Sequence, residues 1–168
     1  MQLALIKVNK TRWVKTGAAW LKPGDIEADP LADLKTTENK LSAWHIDEKQ
    51  ARLDQLLAAL AANRETFDKL DYALFDKQIV TDLGIKAIDS LGGLPDPEVN
   101  NWHFDMVELS GATLVSLAKE IQNKAKMSRV TEPKAIELVK NFILRGRIDR
   151  KKLKNGLKDK IEELLRNS

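Results

Sequence analysis

Leu53, Leu56, Leu57, Leu60 and Ala61 recur at i, i+3, i+4, i+7 and i+8, directly after the strand-like run LSAWHI over Leu41–Ile46. A helical period beside a strand period narrows the chain to architectures in which a sheet and its helices cover each other's apolar faces. Asp47 stands where a helix N-cap belongs, with Gln50 three residues on in a capping-box spacing, and the stripe ends near Asn63. The spacing predicts a helix over 48–63.

The pattern returns later in the chain. WHFDMVEL, over 102–109, alternates, with Trp102, Phe104 and Met106 assigned to one face. Ser110 then caps a helix over 111–125 whose stripe is Leu114, Leu117, Ala118, Ile121 and Ala125. LALIKV, over Leu3–Val8, and DYALF, over Asp71–Phe75, read as further strands, with IKAID a weaker one. Asn9-Lys10-Thr11 is a turn signal leading to a short second strand at Arg12–Lys15. A short helix over Lys77–Leu83 is stopped by Gly84. The long acid-rich segment 20–40 reads as surface, with one helical turn after Pro30. SLGGLPDPEVNN is a loop by its glycines and prolines.

NKAKMSRV lacks apolar periodicity, so residues 127–130 read as a linker. Beyond it, Thr131 and Pro133 start a helix with the stripe Ala135, Leu138, Val139, Phe142 and Ile143, and Gly146 stops it. Asp149 caps a last helix carrying Leu153, Leu157, Ile161, Leu164 and Leu165, with Gly156 weakening it by about 1 kcal/mol relative to Ala. The expected class is α+β: a small mixed or antiparallel sheet covered by helices over residues 1–126, the linker, and a helical hairpin over 131–168. Two apolar stripes cover each other only partly, so the hairpin should dock on the body or on a partner.

Charge is divided along the chain. The net value is +3, yet residues 131–168 hold eleven Lys/Arg against six Asp/Glu, while residues 1–130 hold seventeen against nineteen. Arg145, Arg147, Arg150, Lys151, Lys152, Lys154 and Lys158 fall within fourteen positions. On the last helix Lys151, Lys154 and Lys158 fall at i, i+3 and i+7 and form a stripe beside the apolar one, able to meet an acidic protein surface or track phosphates. The tail has one aromatic, Phe142, and it belongs to the apolar stripe, so base stacking is not offered. No helix-turn-helix with a recognisable reading helix is visible.

The chain has no cysteine, which excludes disulfides, thiol nucleophiles and thiolate metal sites. No apolar run approaches the roughly 20 residues that span a bilayer, and the N-terminus lacks the basic start and cleavage site of a signal peptide. The expectation is a cytoplasmic protein with no membrane contact.

The only two histidines share one frame, WHID at 44–47 and WHFD at 102–105. If the two strands are neighbours in one sheet, His45, His103, Asp47 and Asp105 can share a face. That set would suit a divalent metal, with acids of the 25–33 segment nearby, or acid–base chemistry. Against this, Asp47 has a capping role, and the spacing matches no specific metal motif. A duplication would need a three-residue insertion and leaves the flanking residues poorly aligned. The structural alternative is that Trp44 and Trp102 plug the core where strands meet helices. Asp29 and Asp33 form a carboxylate pair of the kind used in hydrolysis, although acids in a Pro-containing loop are more often solvated. Phosphate-loop, GxSxG and HExxH motifs are absent, and no cofactor is expected.

These features point to a small binding or regulatory protein acting through its basic hairpin on a macromolecule. A protein is the first expectation for that partner, nucleic acid the second, and a second copy of the chain a further use of the apolar stripes. The partner-binding candidates are Arg145, Arg147, Arg150, Lys151, Lys154 and Lys158. The alternative is a hydrolase or metal-dependent enzyme with His45, His103 and Asp105 as catalytic candidates and the two histidines as metal ligands.

Overall fold

A computed structural model describes residues 2–22, 24–47 and 52–166. Six strands, β1 (Gln2–Val8), β2 (Leu41–Asp47), β3 (Lys69–Asp76), β4 (Lys86–Asp89), β5 (His103–Val107) and β6 (Lys126–Thr131), make one sheet. Its order is β4-β5-β2-β1-β3-β6, and every neighbouring pair is antiparallel. The α+β class follows, with helices α1 (Leu53–Ala62), α2 (Gln78–Asp82), α3 (Pro97–Asn100), α4 (Gly111–Lys124), α5 (Glu132–Leu144) and α6 (Asn155–Arg166).

The sheet is covered on both faces, which explains why its central strands are almost wholly apolar. On one face Leu5, Trp44, Ile46, Leu70, Tyr72 and Leu74 pack with the buried sides of α1, α5 and α6. On the other, Ile6, Ala43, Phe75, Phe104 and Met106 pack with Leu117, Ala118 and Ile121 of α4, with Ile79 and Val80 of α2, and with Trp13 and Leu34. The stripes of the C-terminal helices are therefore spent inside the molecule. Leu138, Val139, Phe142, Leu157 and Ile161 belong to the same core as Leu56 and Leu60.

Several local expectations are corrected. Residues 127–130, expected to link, lie within β6 and pair with β3. As an edge strand, β6 hydrogen-bonds on one side and buries only Val130, so no period-2 pattern is written into it. Arg12–Lys15 is not a strand. Lys10–Trp13 is a 3-10 turn, started by the Asn9 side chain, which accepts the Thr11 N–H. The loop at 90–101 contains α3, capped by the buried Asp96, with Pro97 at the first turn. The Asp47–Gln50 capping box falls partly outside the described residues. Within them, Asp47 ends β2 and accepts the Arg52 N–H at 3.1 Å, and Arg52 stands at the helix cap.

The last helix starts later than expected. Asp149 caps only a 3-10 turn at Arg150–Lys152, and α6 begins at Asn155. Between them the chain is held to the end of α1 by Lys154 N–H to Ala62 O and Gly156 N–H to Arg64 O, at 3.0 and 3.1 Å. A Cβ on Gly156 would lie 2.7 Å from the Arg64 carbonyl oxygen and 3.0 Å from the Phe67 nitrogen. The glycine is the condition for this approach rather than a simple weakness in the helix.

Candidate functional site

The two Trp-His frames sit on neighbouring strands, β2 and β5, but they do not align. Trp44 is opposite His103, Ala43 opposite Phe104 and Ser42 opposite Asp105. Directly opposed residues share a face, and one residue of offset exchanges faces. His103 and Asp105 thus lie on the α1 side with Trp44, and His45 lies on the α4 side with Phe104. The shared-face expectation for His45 and His103 is overturned by this register. Trp102 also departs from its expected partners. It precedes β5 at the end of α3, and joins Trp44 in the α1-side core while Phe104 and Met106 point to the other. Both tryptophans are buried.

Each histidine is fixed by a different set. The His45 ring stacks on Phe104, with centroids 4.4 Å apart. Its Nδ1 lies 3.2 Å from Gln2 Nε2 and its Nε2 3.0 Å from Asp89 Oδ1. Because the Gln2 amide nitrogen can only donate, Nδ1 accepts and Nε2–H donates to Asp89. That bond holds the Asp89 carboxyl below its usual range.

His103 is buried, edge-on to Trp44 at 5.2 Å between centroids. Its Nδ1 lies 2.8 Å from Ser90 Oγ, and Ser90 Oγ donates to Asp105 Oδ2 at 3.0 Å. The one hydroxyl proton of Ser90 is committed to the carboxylate, so Nδ1–H of His103 donates to Ser90. A base that donates to the hydroxyl cannot also take its proton, and the trio resembles a nucleophilic triad in composition only. Burial pushes the His103 pKa down, with Asp105 opposing, so the ring is neutral near pH 7. Asp105 also accepts Ser42 Oγ at 3.1 Å from across the strand pair. The serines were not singled out in the sequence, because only the register brings them to Asp105.

Among the described residues, no group of three His, Asp or Glu side chains is placed to hold a metal ion. Asp33 does not act as half of an exposed carboxylate pair. It accepts the Asn9 N–H at 2.6 Å, Arg12 Nη1 at 2.8 Å and Trp13 Nε1 at 2.7 Å, and so anchors the long connection to the end of β1.

The basic candidates divide into paired and unpaired groups. Arg147 reaches Glu98 at 2.6 Å, Lys154 reaches Glu65 at 3.2 Å and Arg150 lies 3.9 Å from Glu162. Arg145 lies over the Phe142 ring. Lys151, Lys154 and Lys158 do not make the expected helical stripe, because the helix begins only at Asn155 and Lys158 alone of the three is on it. Lys151, Lys152 and Lys154 instead line a cleft of about 500 Å³, together with Asn63, Leu153 and the turn Gly93-Leu94-Pro95. Among the described residues no carboxylate lines that cleft.

No helix among the described residues is long and apolar enough to cross a membrane. Compared with known protein families, curated proteins and solved structures, the chain finds no match.

Proposed function

We propose that this protein is a binding or regulatory protein that engages an acidic protein surface through the lysine cleft beside the α5–α6 connection. The observation that carries this reading is the cleft wall: among the described residues it holds Lys151 and Lys152 without an ion pair, Lys154 paired outward to Glu65, and no carboxylate, on a surface where neighbouring cations are paired. Unpaired cations around a concavity favour an anionic partner by complementarity of potential and speed its encounter. The cleft has no aromatic wall on which bases could stack, which favours an acidic protein over single-stranded nucleic acid. The enzymatic alternative is supported less well, since its two histidines face opposite sides of the sheet.

The test uses the full chain, because residues 131–168 supply part of the core. Immobilised wild type and the Lys151→Glu/Lys152→Glu variant are exposed to host extract at low and moderate salt. Bound protein is identified by mass, and nucleic acid by nuclease-sensitive absorbance. The reading expects one protein retained by the wild type, lost by the variant and weakened by salt. The same material on both baits would overturn it, and nuclease-sensitive retention would transfer the surface to nucleic acid.

A further inference from the structure

We propose that a second, separate site binds a small phosphorylated, hydroxyl-bearing molecule in the groove around Lys7, with the phosphate between Lys7, Lys35 and Arg64. Two concavities meet there. One, of about 440 Å³, is lined by Lys7, Lys35, Thr37, Ser42 and Asp105 among others. The other, of about 220 Å³, is lined by Lys7, Lys35, Arg12 and Arg64 among others. Lys7, Asp33 and Lys35 belong to both walls. The larger space alone falls in the range of small-ligand pockets, roughly 300–1,000 Å³.

Asp33 and Glu38, two of the carboxylates lining this groove, are each held by a neighbouring cation. Asp33 is held by Arg12, Trp13 and the Asn9 N–H, and Glu38 lies 3.4 Å from Lys40. Asp105 takes two serine hydroxyls. Lys7 and Lys35 form no ion pair among the described residues. Lys7 lies over the Trp44 ring, 6.0 Å from its centroid. Arg64 donates Nη1 to the Lys69 carbonyl and lies over the Phe67 ring, a bond that uses one of its five N–H donors. Burial first, and then the like charge of Arg64, hold the Lys7 ammonium below its ordinary range. A dianion placed between them would remove that repulsion and gain charge-assisted hydrogen bonds.

The larger concavity suits the rest of such a ligand. A carboxylate offers about four acceptor positions, of which the serines use two, so Asp105 retains capacity for a ligand hydroxyl. The Thr37 hydroxyl is a second polar contact, and Ile6 and Leu41 supply apolar wall. Phosphate recognition next to hydroxyl recognition is the combination that selects a phosphosugar or phosphopolyol over free phosphate.

Isothermal titration of the full chain at constant ionic strength tests this, with ribose 5-phosphate, ribose and inorganic phosphate as probes. The expected result is binding of ribose 5-phosphate, weaker binding of phosphate and none of ribose. Lys7→Gln should weaken ribose 5-phosphate by about tenfold or more, as the loss of one charge-assisted contact implies. Lys35→Gln lies outside the sheet and gives the same reading should Lys7→Gln disturb β1. The Lys151→Glu/Lys152→Glu variant should bind ribose 5-phosphate like the wild type, which separates this site from the lysine cleft. No heat with either phosphate-bearing probe, equal affinity for phosphate and ribose 5-phosphate, or unchanged affinity in both groove variants would overturn the proposal.

Discussion

Arg129 grips both carboxylate oxygens of Asp71 from the directly opposed position on the neighbouring strand, Nε to Oδ1 at 2.6 Å and Nη2 to Oδ2 at 2.8 Å. The same carboxylate accepts the Lys10 N–H at 2.9 Å. One buried acid thus ties edge strand β6 to β3 and to the turn that follows β1. The Arg129 bond comes first among the causes that hold the Asp71 carboxyl below its ordinary range, against the opposing effect of burial. A depressed carboxyl contributes stability above its unfolded pKa, about 3.9, and loses that contribution as pH falls through its folded value. Asp71→Asn should therefore lower the urea midpoint at pH 7, and the gap from wild type should close below about pH 4. A gap that persists unchanged at pH 3 would count against the ion pair as its source.

His103 gives a pH dependence of the other kind. Its folded pKa is lowered, chiefly by burial, so the unfolded chain takes up a proton first as pH falls below about 6.5. Stability should decline between that pH and the folded pKa. In His103→Gln this decline should be absent even if the variant is less stable at pH 7.5. Urea titrations at pH 7.5 and 5.0 measure the difference, and an NMR titration of the ring should place its midpoint below the ordinary histidine value.

Gly156→Ala separates helix propensity from packing. Propensity alone predicts a gain of about 1 kcal/mol. The added Cβ would meet backbone atoms of Arg64, Thr66 and Phe67 at 2.7–3.0 Å, none of which belongs to a flexible side-chain end. A net loss of about 1–3 kcal/mol is expected from this overpacking, read from urea unfolding. A stabilised variant would mean that the α6 start can move away from α1 without cost.

The C-terminal helices should prove inseparable from the sheet. Ile161 and Val139 are fully buried, and Leu157 nearly so, in the core that also holds Leu5 and Trp44. Ile161→Ala should cost about 2–5 kcal/mol. A chain ending at residue 130 should lack the dispersed amide spectrum of a folded protein, and a well-dispersed spectrum from it would show the helices to be an accessory.

The α+β class and most elements were legible because the four longer helices, α1, α4, α5 and α6, each carry an apolar stripe. Ser110 caps α4 as its position suggested, with its Oγ accepting the Thr113 N–H. What the sequence could not reveal were relations fixed between segments. The frame shared by Trp44-His45 and Trp102-His103 looks like alignment, but register is set by the whole sheet and pairs Trp44 with His103. Strand β6 was hidden because an edge strand needs little apolar alternation. Its clearest marker, Arg129, looks like an ordinary surface cation until Asp71 is known to face it. The basic run was visible, but its helical stripe was not real, since the close approach at Gly156 delays the helix start.

The order in which the sheet is completed has a consequence for synthesis. β6 supplies one outer edge, and α5 and α6 finish the layer over Leu5, Trp44 and Ile46, yet all three come from the last third of the chain. While the ribosome still holds that third, the emerging chain carries β3 with an unpaired edge and a sheet face only partly covered by α1. Such surfaces attract other chains. Until β6, α5 and α6 have emerged, this edge and this face are where association with other chains would begin. The tail that closes the face also carries the lysine cleft, so the proposed binding surface would assemble only with the finished fold.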